Sequence, residues 1–146
     1  MENTLKLKGH GYFERRTKDG KKIDSWECDN LIVTAGDVLV AKLINGVSAT
    51  YMNTIAIGTD TGTPPAIGQT ALIAENQRAL ATLTYLATAK AVFEYTFSFG
   101  GSYTIAEAGV FNNSTSGGDM LDRFQFTGKA VDGTTNLYVK ITITCA

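Results

Sequence analysis

The feature that most constrains the fold is an alternation of apolar and polar residues in the second half of the chain. In residues 92–99, four aromatic residues alternate with smaller or polar ones, and apolar and polar residues alternate likewise in residues 137–145. A period of two places alternate side chains on one face of a β-strand. We therefore predict a buried aromatic face that is formed by Phe93, Tyr95, Phe97 and Phe99.

Glycine-containing turns separate these segments at the short intervals expected of a β-sandwich or barrel. We predict a mainly β protein, namely an antiparallel, jelly-roll-like β-sandwich with one short helix packed at an end. The 146 residues have the size of one ordinary domain, so residues 1–146 are treated as a single domain.

The one helix is predicted from about Ala35 to Ile44. Thr34, followed three residues later by Asp37, resembles a capping box, and Asn45-Gly46 is a typical helix end. Apolar residues at helical spacing between these signals indicate an amphipathic segment of about three turns.

The first 22 residues are strongly basic. They contain seven Lys and Arg against three Asp and Glu, a net charge of +4, whereas the remainder carries six against eleven, a net charge of −5. Residues 1–22 are predicted to form a basic arm and part of a β-hairpin that turns at Asp19-Gly20. Its cations predict contact with an acidic surface, and the alternative is a solvated hairpin tip. The cations in question are Arg15, Arg16, Lys18, Lys21 and Lys22.

Overall composition excludes several classes of partner. A net charge of −1 argues against nucleic acid as the main partner, and no apolar run is long enough to span a bilayer. The start of the chain lacks the apolar core of a signal peptide, so synthesis in a cytoplasm is expected. For such a protein two buried free thiols, Cys28 and Cys145, are preferred over a disulfide.

Within residues 54–78, a short apolar strand at residues 55–58 opens into a long Gly/Thr/Pro loop that begins with residues 59–65 and is followed by residues 71–78. Ordered connections normally take only a few residues, and longer ones are generally functional or mobile. Both prolines of the chain lie here and fix two φ angles, so we expect a stiff, projecting contact surface. The residues predicted to form it are Thr59, Asp60, Thr61, Pro64 and Pro65.

Several segments, which together reach from about Ile23 to the C-terminus, carry a family resemblance. The group that they resemble is the virion proteins of tailed bacteriophages. The segments are residues 29–36, residues 55–64 with the following Glu75 and Arg78, residues 105–111 and residues 120–123.

That resemblance implies a structural particle protein that is made in the bacterial host cytoplasm and incorporated into the virion. A capsid cement, or decoration, protein is favoured over a tail-fibre or baseplate module because the chain carries no shaft-forming repeat. The expected partners are the major capsid protein or other virion proteins, together with further copies of the chain in a dimer or trimer. Neither nucleic acid nor a membrane is an expected partner.

No catalytic, cofactor or metal site is predicted. His10 lies between two glycines with no nucleophile motif nearby, and residues 58–62 lack the lysine of a phosphate-binding loop. Asp60 alone makes a weak calcium site. An enzyme is therefore the least favoured class.

Three charged residues lie in otherwise apolar surroundings. Since an unpaired buried charge costs several kcal/mol, Glu107 is predicted to form an ion pair with Arg78 or Arg123. Asp122 is interpreted as a solvated neighbour on the opposite strand face.

One alternative comes from another functional class. A carbohydrate-binding β-sandwich would use exposed aromatic rings for stacking on sugars. The candidate rings are scattered over the chain, however, and they are Tyr12, Tyr51, Tyr103 and Tyr138.

Overall fold

The protein was analysed as a computed structural model that describes residues 6–47 and 50–145. These residues form two five-stranded antiparallel sheets and one helix, α1 (Thr34–Ile44). The strands are β1 (Leu7–Thr17), β2 (Lys22–Asp29), β3 (Leu31–Ile32), β4 (Thr54–Gly58), β5 (Glu75–Leu80), β6 (Thr82–Leu86), β7 (Lys90–Ser98), β8 (Tyr103–Phe111), β9 (Met120–Val131) and β10 (Thr135–Cys145).

The first sheet has the strand order β2-β1-β10-β7-β6, and the second has the order β3-β9-β8-β4-β5. The chain crosses between the sheets after β2, β5, β7 and β9, which gives it a jelly-roll-like path. The prediction of a mainly β, antiparallel sandwich with one short helix is confirmed. Each sheet buries an apolar inner face against the other.

The alternating segments of the sequence form the core. Phe93, Phe97 and Phe99 of the predicted aromatic face are buried, but Tyr95 remains 38% exposed. Its ring packs edge-on against Phe97, with centroids 4.7 Å apart. A tyrosine can bury one side of its ring while its hydroxyl stays in water, so the prediction was wrong for this ring. Around these rings the core contains Phe13, Ile55, Ile57, Ile105, Leu121, Phe124, Leu137, Val139 and Ile141.

The predicted hairpin is confirmed. β1 and β2 pair in antiparallel register, and the amide of Gly20, at φ +91°, donates to the carbonyl of Thr17 over 2.9 Å. Glycine adopts such a positive φ without steric cost. Residues 1–5 of the predicted basic arm lie outside the described residues.

The helix ends where the sequence predicts, but it begins differently. Asn45 is its C-cap, and Gly46 follows at φ +72°. At the other end Val33 is the N-cap, with no side-chain cap, so the predicted capping box is wrong. Val33 is completely buried beside Phe111, and packing rather than a hydroxyl cap positions this helix end. The amide of Thr34 donates instead to the carbonyl of Ile67 over 2.9 Å.

Helix α1 lies directly on β9 through a glycine. A Cβ atom built on Gly36 would lie 2.4 Å from the carbonyl oxygen of Leu121 and 2.9 Å from its Cα. Both atoms belong to backbone, which cannot rotate away as a side chain can. Gly36 therefore sets how closely the helix approaches the second sheet.

We predict that Gly36→Ala destabilises the protein by about 1–3 kcal/mol, because overpacking forces the helix off β9. Helix propensity alone predicts the opposite sign, a gain of about 1 kcal/mol. Gly68→Ala is the matched control, since a Cβ there meets nothing within 4 Å. Urea unfolding of both variants measures the difference, and an unchanged or raised stability of Gly36→Ala would contradict this packing.

Candidate functional site

The connection between β4 and β5, residues 59–74, folds back over the outer face of the second sheet. We call it the clamp loop. Its ends are joined by a hydrogen bond of 2.9 Å from the Thr59 amide to the Ala74 carbonyl. Leu72 is buried in a small apolar cluster with Ala56 and Phe111. The loop is thus packed on the sheet, whereas the sequence had predicted a projecting segment.

Two opposite charges lie beneath this loop. Glu107 on β8 and Arg123 on β9 are both completely buried. They alternate with the core residues Ala108 and Phe124, so they lie on the face that the loop covers. The Nε and Nη2 atoms of Arg123 lie 3.0 Å and 2.8 Å from Oε2 of Glu107. Burying a charged pair is tolerated only when its remaining donors and acceptors are also satisfied.

Arg123 satisfies its remaining donors on the clamp loop. Nη1 donates to the carbonyl of Thr63 at 2.7 Å and to Oε1 of Gln69 at 3.4 Å, and Nη2 donates to Oδ2 of Asp60 at 3.2 Å. A guanidinium has five N–H donors, and Arg123 makes five hydrogen bonds. One side chain therefore ties three positions of the loop to the sheet.

Glu107 holds the end of the same loop. Its Oε2 accepts a hydrogen bond of 3.1 Å from the Ile73 amide, and its Oε1 accepts one of 2.8 Å from the Ala74 amide. Gly58 leaves the room for this contact, because a Cβ there would lie 2.3 Å from Oε1 of Glu107. The packing at the end of β4 thus requires a glycine at position 58, next to the buried carboxylate.

Asp60 shapes the beginning of the loop. Its carboxylate accepts hydrogen bonds from the amide of Thr63 at 2.9 Å and from the Thr63 hydroxyl at 3.3 Å, in addition to the contact from Arg123. A local aspartate of this kind stabilises a turn. A calcium ion at Asp60, the weak site considered from the sequence, would have to displace these hydrogen bonds.

Only part of the predicted loop surface faces solvent. Thr61 and Pro64 are exposed, whereas Thr59, Asp60 and Pro65 are half-buried. Two exposed isoleucines, Ile67 and Ile73, belong to the same surface and were missed by sequence reasoning. The pattern of apolar and polar residues around these two isoleucines does not indicate that they are exposed.

Arg78, the other predicted partner of Glu107, belongs to a different cluster. It binds Glu75 through Nε at 2.9 Å and Nη2 at 2.5 Å, and its Nη1 donates to the carbonyls of Asn113 and Gly117. Its guanidinium also lies 4.3 Å from the centroid of the Phe111 ring. Arg78 therefore supports the turn between β8 and β9.

Asp122 is buried, so its interpretation as a solvated residue is wrong. It pairs in register with the core residue Val110, whose amide donates to Oδ1 at 2.9 Å, and Nδ2 of Asn30 donates to Oδ2. The Oδ1 atom of Asn30 in turn accepts from the Gly9 amide at 2.8 Å. Burial raises the pKa of Asp122 to about 7 despite these hydrogen bonds, which lower it.

The two arginines of the basic hairpin are paired within the chain. Arg15 binds Asp24 through two hydrogen bonds of 2.7 Å and 2.8 Å, and Arg16 binds Glu14. Arg16 also lies over the ring of Tyr138, 4.3 Å from its centroid. Their charge is thus largely compensated. The lysines near the turn, Lys18, Lys21 and Lys22, are exposed, and Lys18 contacts Oδ1 of Asn136 at 3.1 Å.

His10 lies on the exposed face of the first sheet between two carboxylates. Its Nδ1 is 3.0 Å from Asp29 and its Nε2 is 3.0 Å from Glu27. Two hydrogen bonds raise the pKa of His10: the one to Asp29 has the larger effect, and the one to Glu27 the next largest. A shallow hollow of about 350 Å³ beside it is lined by Tyr12, Tyr138, Lys140 and Thr142.

Both cysteines are free thiols. Cys28 is half-buried, and burial raises its pKa to about 12, which keeps the thiol protonated and unreactive. Cys145 is exposed, so the prediction of two buried thiols is wrong for this residue. It lies at the end of the last described strand, where the alternation no longer determines burial.

In residues 6–47 and 50–145, no group of three or more His, Cys, Asp or Glu side chains is arranged to hold a metal ion. No helix within the same ranges combines the length and hydrophobicity needed to cross a bilayer. The buried charges of Glu107 and Arg123 hold the backbone of the clamp loop in place through hydrogen bonds.

We predict that Glu107→Gln lowers the free energy of unfolding by about 3–5 kcal/mol, because it removes the buried carboxylate paired with Arg123 and leaves only the half-buried Asp60 as its counter-charge. The matched control is Asp24→Asn, which breaks a partly exposed pair with Arg15 and is expected to cost at most about 1 kcal/mol. Urea unfolding measures both variants, and equal losses would contradict the central role of the buried pair.

We also predict that Asp122 makes a contribution to stability that decreases as pH rises from about 4 to about 7. A raised pKa means that folded Asp122 keeps its proton where the unfolded chain has lost it. The contribution is fully present below about pH 4 and is lost toward about pH 7, with a slope of up to about 1.4 kcal/mol per pH unit. Asp122→Asn should remove this slope in urea unfolding at several pH values, whatever its effect on stability at one pH. The same slope in wild type and variant would contradict the assignment.

Comparisons with protein-family models, with curated proteins and with solved structures find no match to this chain.

Proposed function

We propose that this chain is a non-enzymatic structural protein of a tailed-bacteriophage virion, and specifically a capsid cement protein that binds the assembled shell. The observation that carries the proposal is the clamp loop, which three hydrogen bonds from the buried Arg123 and two to the buried Glu107 hold against the second sheet. The partner is the major capsid protein or another virion protein, and the protein reaches the particle from the cytoplasm of the bacterial host.

The segments that resemble phage virion proteins supply the members of this ion cluster. Asp60 comes from residues 55–64, Glu107 from residues 105–111 and Arg123 from residues 120–123. Residues distant in sequence thus meet to fix one loop. This supports a role for the motifs in shaping a surface, which is what a structural particle protein needs.

A rigid loop suits docking for a thermodynamic reason. Each flexible side chain or loop residue that becomes ordered on binding opposes association, so a surface fixed in advance loses less entropy. The outer side of the clamp loop exposes Thr61, Pro64, Ile67 and Ile73. Exposed isoleucines on a rigid backbone can be buried against a protein partner with a favourable hydrophobic contribution.

Binding to the shell would stabilise the particle by mass action. A protein that binds the assembled shell and not its separated subunits shifts the equilibrium toward the assembled state. Many copies, each contributing a small free energy, raise the temperature at which the shell fails. A surface that is already ordered in the free protein suits this task, which requires only binding to the shell.

A tail-fibre or baseplate module is the alternative within the same class, since it could use the same loop against a neighbouring tail protein. The carbohydrate-binding alternative is less well supported. Tyr12 and Tyr138 meet edge to face, Arg16 covers a face of the Tyr138 ring, and both hydroxyls are hydrogen-bonded to glutamates. Arg16 thus covers a face of the Tyr138 ring that would otherwise be free to stack on a sugar.

We predict that particles lacking this protein release their genome at a lower temperature and regain heat resistance when the purified protein is added. Ile67→Asp should weaken this rebinding about tenfold or more, because it replaces an exposed apolar residue of the clamp loop with a charge. Val38→Asp is the matched control, an exposed apolar residue on α1, and should bind as the wild type does.

The readouts are the amount of protein bound to sedimented particles, the temperature of genome release and adsorption to host cells. Normal heat resistance together with lost adsorption would overturn the cement role in favour of the tail alternative. Absence of the protein from purified particles would overturn the virion role altogether.

A further inference from the structure

Strand β6 is the last strand of the first sheet, and its outer edge has no backbone partner among the described residues. All five of its residues are exposed, including Leu83, Tyr85 and Leu86. Residues 79–89 contain no charged side chain. An open edge of this kind offers its free N–H and C=O groups to another strand.

The other three sheet edges carry features that oppose such pairing. β2 has four charged residues among eight, and its pairing with β1 shifts register. β3 has only two residues, whereas β5 carries Glu75 and Arg78 and has a register shift against β4. Charges, short length and bulges are the usual means by which proteins block edge-to-edge association. β6 has none of these and pairs with β7 without a shift.

Apolar surface continues from β6 toward α1. Leu83 and Tyr85 pair with Phe93 and Ala91, so they lie on the face of the sheet that carries the core. They line a hollow of about 320 Å³. A second, almost wholly apolar groove of about 410 Å³ reaches the exposed Ile44. The two hollows share three lining residues, namely Met52, Ala91 and Phe93.

We propose that β6 pairs in antiparallel register with β6 of a second copy of this chain and so forms a two-fold symmetric dimer with a continuous ten-stranded sheet. Centring the two-fold axis on Thr84 pairs all five residues of each strand. It places Leu83 opposite Tyr85 of the second copy, on the side of the apolar hollow.

The occupant is a second copy because the strand is complementary to itself. A two-fold interface brings each residue near its own equivalent, so a charged strand would face like charge, and this one carries no charge. The two-fold symmetry also brings the apolar hollow beside β6 of one copy next to the same hollow of the second copy, which doubles the apolar surface at the axis. The dimer does not depend on the virion role, because it follows from this edge alone.

Sedimentation velocity over a range of concentrations tests the dimer. The wild-type protein should sediment as a dimer, with twice the 15.6 kDa mass of one chain. Tyr85→Lys should weaken dimerisation about tenfold or more, since it removes an aromatic anchor and places two like charges near the axis. Ile23→Lys is the control on the opposite edge of the same sheet and should leave the dimer unchanged. Far-UV circular dichroism establishes that the variants are folded.

A cysteine pair tests the register, in a background in which Cys28 and Cys145 are replaced by serine. Thr84→Cys places two cysteines directly opposite each other, about 5 Å apart between Cα atoms, which a disulfide can bridge. Thr82→Cys would separate its equivalents by roughly 13 Å along the strands, too far for a disulfide. Rapid oxidation of Thr84→Cys alone supports the proposal. A monomeric or trimeric wild type, an unchanged Tyr85→Lys dimer, or equal oxidation of both cysteine variants would overturn it.

Discussion

The buried ion pair between Glu107 and Arg123 is the interaction on which the second sheet and its clamp loop depend. Two opposite charges without solvent would destabilise the fold if their remaining hydrogen-bonding groups were unsatisfied. Here the loop provides the missing partners: two amides reach Glu107, and two backbone or side-chain oxygens together with Asp60 reach Arg123. The pair therefore requires the loop, and the loop is ordered by the pair.

This mutual dependence explains several features of the sequence. Gly58 makes room for the glutamate, and Gly109 lies where a Cβ would meet the carbonyl of Asp122 and the side chain of Leu72. Seven consecutive residues of β8, Ile105–Phe111, are buried, because the core covers one face of the strand and the loop covers the other. The motif at residues 105–111 thus has a structural cause in the packing of a central strand.

The sequence predicts well the features that depend on local pattern. It predicts poorly the features that depend on which strand faces a distant segment covers. Alternation identified the sandwich, and turn glycines located the β1–β2 hairpin and the end of α1. Alternation alone cannot say which faces a distant loop will cover, so Asp122 was assigned to solvent and the clamp loop was expected to project. The requirement that a buried glutamate be paired did predict an ion pair, but the choice between Arg78 and Arg123 needed the register of β8 against β9.

Native-state hydrogen exchange measures directly whether the buried charges hold the clamp loop rigid. The amides of Ile73 and Ala74 donate to Glu107, whereas the neighbouring Ala71 is exposed. We expect the first two amides to exchange only through openings that approach global unfolding in free energy, and the Ala71 amide to exchange rapidly. Exchange of Ile73 and Ala74 at rates close to those of an unstructured peptide would contradict it.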